Sequence, residues 1–266
     1  MQVNITIPKN WNELTPVQLQ NIVYQFHCYQ EIVKDNAEAV ATTTTKLYFQ
    51  ISKELLRGNT WKSIRIALKE IQPKAFVPLT KFIYERVDRT KFIPEFKINK
   101  TVYYPPAQRL RNVTIGEFSF VDSVYYRWRK SKEDIWLDVL CAALYREKAP
   151  NYTDMDIRKP FVKQAVDNRA DVFAALPLKT KLAIAYTYEG CRNHIADTYP
   201  LIFPKPIQIE GQVTPQQQKY VSFGEIVLDK IEGDPSKFET TNNVLANDFL
   251  NIITNDIRNL RKQRKK

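Results

Sequence analysis

Residues 114–146 constrain the fold of this chain more than any other segment, because their apolar side chains recur with the ~3.6-residue period of a helix. Thr114 and Glu117 have the spacing of a capping box, in which two side chains satisfy free amides of the first helical turn. Asp134 is a residue type that caps helices, and it precedes a second apolar stripe. We therefore predict two helices whose core-facing side chains are Phe118, Val121, Tyr125, Trp128, Trp136, Leu137, Leu140, Cys141 and Leu144.

The rest of the chain is also predicted to be mainly helical. Residues 37–56 are predicted to form a helix with Leu47, Tyr48 and Ile51 among its inward-facing residues, whereas residues 148–159 are predicted to form a polar loop. Thr15, Pro16 and Gln18 form a helix start with a cap, a proline at the first position and a glutamine at the third. Residues 92–106 differ, because two short β-type runs flank a polar turn and indicate a hairpin. The six glycines argue against a sandwich with many tight turns and against glycine-rich phosphate loops. The predicted fold class is mostly α, a multi-helix globular bundle with a minor β-hairpin.

Four segments are predicted along the chain. Residues 1–199 form the main helical domain, with the hairpin near 92–106. Residues 200–215 are proline-rich and form a linker or an extended arm. Residues 216–257 are too few to bury an independent core, so we expect this helical segment to dock on the main domain. Residues 258–266 form a basic tail.

The basic tail carries about half of the excess positive charge. The net charge is +11, and removing the six positive residues of 258–266 leaves 11 − 6 = +5. Such a tail is a general electrostatic handle for nucleic acid or for an acidic partner. The alternative is a solvated helix end, where cations suit the C-terminal dipole. This alternative is favoured, because no aromatic residues are interleaved for base stacking.

No catalytic or metal-binding motif is found. The two histidines are His27 and His194, and Cys191 lies three residues before His194 on a predicted helix. Zinc requires three or four ligands, and no second cysteine or histidine pair is near in sequence. Cys28 and Cys141 lie among apolar residues and are expected to be reduced core thiols. We predict no enzymatic activity, no metal and no cofactor.

No run of about 18 apolar residues is present, and the N-terminus lacks the pattern of a secretory leader. We expect a soluble protein that does not interact with membranes and stays in the compartment where it is made.

Aromatic and cationic side chains alternate in the first predicted helix of 114–146. The aromatic residues Tyr125, Tyr126, Trp128 and Trp136 occur with the interleaved cations Arg127, Arg129 and Lys130, a mixture that could stack nucleic-acid bases. Helical spacing instead places Tyr125 and Trp128 on the core stripe and the cations on the exposed face. The second interpretation is favoured because it needs no ligand.

Five short motifs occur in one order along nearly the whole chain. They are IPxxWxELTxxQL (7–19), NVTxGEF (112–118) running on to Asp122 and Tyr125-Tyr126, LxxLxAxLYR (137–146), GCRxxI with YPxIFP (190–204) and EGDxxKxE (232–239). As an ordered series they resemble uncharacterised proteins encoded in the tail-gene region of phages and prophages of Bacteroidetes-type bacteria. The resemblance implies a role in phage tail assembly, with a chaperone of the tape-measure protein as the finer hypothesis. It implies the cytoplasm of the bacterial host, or alternatively the virion, as the location, and no catalytic residues come with it.

The expected partners are phage tail or other virion proteins, with a homo-oligomer as an alternative and nucleic acid as a less favoured one. Competing functions are a structural virion component, such as a connector or tail protein, and a nucleic-acid-binding protein that acts through the basic tail. The apolar arm residues could pack on another subunit, although packing on the chain's own core is favoured. The candidate partner-binding residues are Leu201, Ile202, Phe203, Arg258, Arg261, Lys262, Arg264, Lys265 and Lys266.

Overall fold

A computed structural model of the chain describes residues 4–34, 36, 38, 40–70, 73–153, 155–204 and 222–264. Helices predominate, which confirms the predicted mostly α fold, and two short antiparallel hairpins accompany them. Within these residues no helix has both the length and the hydropathy that crossing a bilayer requires. The elements are α1 (Pro16–Lys34), α2 (Val40–Leu55), α3 (Trp61–Glu70), α4 (Pro73–Tyr84), β1 (Phe96–Ile98), β2 (Thr101–Tyr103), α5 (Ile115–Ser131), α6 (Asp134–Leu144), β3 (Lys148–Thr153), β4 (Asp156–Arg158), α7 (Val166–Phe173), α8 (Leu178–Thr198), α9 (Phe223–Lys230), α10 (Phe238–Asn242) and α11 (Ala246–Gln263).

The chain forms two compact units. The first unit consists of Met1–Pro94 and Leu176–Gly190, and the second consists of Glu95–Ala175 and Cys191–Lys266. These units are not divided at residues 199 or 215, and the predicted segment limits stay predictions. The proline-rich segment falls largely outside the described residues, because only its first five residues are described.

In the first unit, α1 and α2 pack against each other through apolar faces. Leu19, Ile22 and Val23 of α1 are fully buried, as is Ile51 of α2. Trp11 precedes these helices and is also buried, and its indole Nε1 donates a hydrogen bond of 2.9 Å to the backbone oxygen of Phe82. The indole therefore buries its apolar surface without losing its polar partner.

Helix α8 approaches another backbone segment very closely within the first unit. A Cβ atom added at Gly190 would lie 2.0 Å from the backbone oxygen of Arg89, far inside van der Waals contact. The guanidinium of Arg89 is itself buried and donates to the backbone oxygens of Trp11 and Leu14, at 2.8 and 3.0 Å. Only glycine can occupy position 190 without displacing the backbone of Arg89.

The core of the second unit is built on α5 and α6, as predicted from residues 114–146. Thr114 caps α5, since its hydroxyl accepts a hydrogen bond of 3.2 Å from the amide of Glu117. The predicted core side chains of both helices are buried with one exception, Trp136. The buried set is Phe118, Val121, Tyr125, Trp128, Leu137, Leu140, Cys141 and Leu144.

The helices after residue 221 pack against α5 within the second unit. The rings of Phe118 and Phe223 make an edge contact, with 4.8 Å between their centroids. The amide of Ile115 donates to the backbone oxygen of Val244 at 2.8 Å, and Phe249 and Leu250 of α11 are buried. Burial of these side chains holds α9 to α11 on the unit, because segments this short cannot bury a core alone.

Three local predictions are corrected. Residues 148–159, predicted as a polar loop, contain the hairpin of β3 and β4. Trp136 is only half-buried, because it lies in the first turn of α6 beside the exposed Ile135. Cys28 is also half-buried on α1 and is therefore not a core thiol, whereas Cys141 and Cys191 are buried and are not joined in a disulfide. The hairpin near 92–106 is confirmed, with strands β1 and β2.

Candidate functional site

The second unit contains a groove of about 770 Å³ beside helix α5. Its walls come from α5, from residues 160–164, from the start of α9 and from α10. This volume lies within the range of ligand-binding pockets in proteins, roughly 300–1,000 Å³. Five charged side chains line the groove: Glu117, Arg127, Arg146, Asp156 and Lys163.

A buried ionic cluster underlies the groove. The carboxylate of Glu117 is 1% exposed and accepts from Arg146 Nη1 at 2.8 Å and from Arg158 Nη1 at 3.1 Å. Arg158 Nη2 also contacts Asp156 Oδ2 at 2.9 Å, and Arg146 Nη2 lies 3.6 Å from the same oxygen. Two cations thus face two anions, and the cluster as a whole is electrically neutral.

The two buried arginines differ in how fully they are compensated. Burial lowers the pKa of Arg146, and the charge of Glu117 only partly opposes this effect. Burial also lowers the pKa of Arg158, but the charges and hydrogen bonds of Glu117 and Asp156 outweigh it, so the net pKa is raised. Among the described residues, the Nε atom of Arg146 has no hydrogen-bond partner. The cluster therefore retains one buried N–H donor that has no acceptor.

Two exposed cations stand at the edge of the groove. The guanidinium of Arg127 lies 5.0 Å above the ring of Trp136, and Lys163 Nζ lies 5.9 Å from the ring of Phe120. Within the described part of the chain, neither cation forms an ion pair. Phe120 and Phe161 contact each other with 5.5 Å between their ring centroids. The groove therefore combines apolar rings with unpaired positive charge.

The shape of the groove depends on a close approach of α5 and α10. A Cβ atom at Gly116 would lie 3.0 Å from the Cβ of Asn242, so a larger side chain would push α10 away. The carboxylate of Glu117 does not complete the predicted capping box, because it is engaged with Arg146 and Arg158. Within this motif, Thr114 caps the helix, whereas Glu117 belongs to the buried ionic cluster.

The first unit offers a different surface, which we call the aromatic cluster: the contacting rings of Phe26, Tyr48 and Tyr84, together with Phe49, which follows Tyr48 on α2. The rings of Tyr48 and Tyr84 are 4.9 Å apart, and those of Phe26 and Tyr84 are 5.9 Å apart. Phe49 is 65% exposed. Burial, and then the charge of Tyr48, raise the pKa of the Tyr84 phenol above its ordinary value.

No sequence motif indicates that this cluster is a binding site. The periodicity of α2 correctly marks Leu47 and Ile51 as inward, but it also assigned Tyr48 to the inward face. Tyr48 is 40% exposed, because the apolar stripe is broader than the face that α1 covers.

The structure places the predicted partner-binding residues at two separate positions. Phe203 contacts Phe223 with 5.6 Å between ring centroids, so this part of the arm packs on its own unit, and Leu201 and Ile202 are half-buried. The basic tail continues α11, on which Arg258, Arg261 and Lys262 are exposed. Arg264 is exposed at the end of that helix, and Lys265 and Lys266 lie outside the described residues.

The structure also gives the positions of Cys191 and His194, the candidate metal ligands. Cys191 is buried, while His194 is half-buried, and burial together with the charge of Arg109 lowers the pKa of His194. No group of three or more potential metal ligands occurs among the residues that the structure describes.

Tyr125 and Trp128 are buried while Arg127, Arg129 and Lys130 are exposed, which confirms the core interpretation of these aromatic residues.

Comparisons of this chain with protein-family models, with curated proteins and with solved structures found no match.

Proposed function

We propose that this protein is a non-enzymatic bacteriophage tail assembly protein that holds an apolar segment of a partner through the aromatic cluster of its first unit. The observation that carries the proposal is the exposure of Tyr48, Phe49 and Tyr84, which are 40%, 65% and 39% accessible. The rings of Tyr48 and Tyr84 contact each other. Exposed aromatic side chains are typical of protein-binding surfaces, where tyrosine, phenylalanine and tryptophan are enriched.

The chemistry of the cluster suits a partner with apolar side chains. Tyrosine rings give a large contact area at a low cost in side-chain entropy, and their hydroxyls stay hydrated at the edge. Phe49 has no polar group to compensate for its exposure, so covering it removes apolar surface from water. The free energy gained is the physical reason for binding.

The phage assignment is supported by the ordered motifs described above. The resemblance implies a role in tail assembly, with a chaperone of the tape-measure protein as its finer form. The finer proposal is therefore a chaperone of the tape-measure protein in the cytoplasm of the bacterial host. A structural component of the virion is the alternative.

Co-expression with a phage tape-measure protein tests the proposal. We expect the wild-type chain to raise the soluble fraction of the tape-measure protein, and Tyr48→Ser with Phe49→Ser to remove that effect. The matched control is Ile135→Ser in the second unit, where Ile135 is 52% exposed and lies outside the cluster. Equal solubility with the wild type and with the double variant would contradict the proposal.

Mass spectrometry of purified phage particles separates the chaperone from the structural component. A chaperone should be absent from the finished particle, whereas a connector or tail protein should be present at constant stoichiometry. Detection of the chain at the level of known tail proteins would overturn the chaperone assignment and favour the virion component.

A further inference from the structure

We propose that the groove of the second unit binds an extended segment of a partner protein through an aspartate or glutamate side chain of that segment. The site is distinct from the aromatic cluster and lies entirely in the second unit. The inference goes beyond the proposed function, since it does not require a phage partner.

The charge around the groove favours an anionic ligand. Arg127 and Lys163 line it and are exposed, and neither forms an ion pair within the described residues. The buried cluster beneath them is neutral, since Arg146 and Arg158 balance Glu117 and Asp156. The positive charge that a ligand meets therefore comes from Arg127 and Lys163. The whole chain, at +11, also attracts acidic partners.

The unpaired Nε donor of Arg146 defines a position for a hydrogen-bond acceptor atom of the ligand. Arg146 lines the groove, is 2% exposed, and keeps both terminal nitrogens engaged with Glu117, Asp156 and the backbone oxygen of Ala143. Its Nε has no partner among the described residues. A buried donor without a partner costs free energy, and an oxygen that accepts from it removes this cost. A carboxylate provides such an oxygen and is also attracted by Lys163.

The remaining walls suit a peptide better than a small anion. Gln164 and Asn243 line the groove, and their side-chain amides can both donate to and accept from a peptide backbone. Asn112 and Asn242 also line it, but the Asn112 oxygen already accepts from the amide of Ala107 and the Asn242 NH2 group donates to the backbone oxygen of Phe238. Phe120 and Phe161 add an apolar surface for a neighbouring side chain of the ligand. A simple inorganic anion would leave most of this surface unused.

An array of short synthetic peptides, probed with the full-length protein, tests the inference. In the array, acidic, amide and basic residues rotate through each position of an apolar background. We expect acidic peptides to bind, and their Asn or Gln counterparts to bind more weakly when affinities are measured by fluorescence anisotropy. Absence of binding, or equal binding of acidic and basic peptides, would overturn the inference.

Two charge-reversing variants separate a local site from a general effect of net charge. Lys163→Glu should weaken binding of the best acidic peptide about fivefold to tenfold, because it replaces an attraction by a repulsion. Lys130→Glu is the matched control, since Lys130 is exposed on the same unit but does not line the groove. Equal losses in both variants would contradict a local site.

Arg146→Lys tests the floor of the groove, since it keeps the charge and removes the Nε donor. The preference for an acidic peptide over its amide counterpart should shrink in this variant. If Arg146→Lys does not fold, the binding loss in Lys163→Glu still tests the inference. Direct binding of a single-stranded oligonucleotide that Lys163→Glu abolishes, together with no binding of any peptide, would instead assign the groove to nucleic acid and overturn the inference.

Discussion

The two units use aromatic and charged side chains in opposite ways. In the second unit, the rings of Phe118 and Trp128 are buried, and the charges of Glu117, Arg146 and Arg158 are buried with them. In the first unit, rings of the aromatic cluster remain exposed on α2 and α4. Aromatic content therefore does not by itself identify a core. What decides is whether another element of the same unit covers the ring.

This contrast separates residues that maintain the fold from residues that are free to bind. Removing one partner of a buried ion cluster leaves an uncompensated charge, which is strongly destabilising. Removing an exposed ring changes stability little. The two units should therefore respond differently to comparable substitutions, and the responses can be ordered by size.

The largest loss is expected for Glu117→Ala in the second unit. The substitution leaves the buried guanidinium groups of Arg146 and Arg158 without their shared carboxylate. We expect the free energy of unfolding to fall by about 3–5 kcal/mol in urea denaturation. Replacing Glu117, Arg146 and Arg158 together by apolar residues of similar volume should cost less than Glu117→Ala alone. A loss below about 1 kcal/mol for Glu117→Ala would mean that water reaches the cluster.

A smaller loss is expected for Gly190→Ala in the first unit. The added methyl group would lie 2.0 Å from the backbone oxygen of Arg89, so the helix or that segment must move. We expect a cost of about 1–3 kcal/mol, against the ~1 kcal/mol that alanine gains over glycine in a helix. Gly224→Ala is the control, because its Cβ would find its nearest neighbour at 3.5 Å. Equal effects of the two substitutions would contradict the close approach.

Local patterns in the sequence predicted much of the second unit's core. Phe118, Val121, Tyr125 and Trp128 recur along a single helix, so their common burial follows from helical geometry alone. The capping role of Thr114 follows in the same way. These features depend only on residues that are close in sequence.

The groove could not be predicted, because its parts are distant in sequence. Glu117 and Arg158 are 41 residues apart, and no periodicity relates them. The polar run that forms β3 and β4 lacks the alternation of a buried strand, so the hairpin that carries Arg158 resembled a loop. Trp136 shows the opposite error, since it follows the apolar stripe of α6 but stacks beneath the exposed Arg127. Whether an apolar stripe of a helix is exposed depends on which other elements of the fold pack against it.

The pH dependence of stability should reveal a partly buried ion pair in the first unit. Burial raises the pKa of Glu54, but hydrogen bonds from Arg57 and Asn21 outweigh it, so its pKa lies below the ordinary value of 4.5. A lowered pKa in the folded state stabilises the protein above the unfolded-state pKa, and this contribution is lost as the pH falls through the folded-state pKa. We expect it to be under about 1 kcal/mol, because Arg57 is half exposed.

Urea denaturation of the wild type and of Glu54→Gln, from neutral pH to about pH 3, measures this contribution. The difference in unfolding free energy between the two proteins should shrink as the pH falls below 4.5. A difference that stays constant with pH would show that the glutamate acts through packing or neutral hydrogen bonds, not through its charge.

The smallest effect on stability is expected for Phe49→Ala in the aromatic cluster. Phe49 is 65% exposed, so truncation creates no cavity and should change the free energy of unfolding by less than about 0.5 kcal/mol. The same truncation at Phe118, which is fully buried, should cost about 3–5 kcal/mol. Thermal and urea denaturation of both variants give this comparison directly. A loss above about 2 kcal/mol for Phe49→Ala would mean that the ring is covered by another part of the chain or by a second copy. The cluster would then belong to the core or to an oligomer interface, and the proposal that it holds a segment of a partner would be wrong.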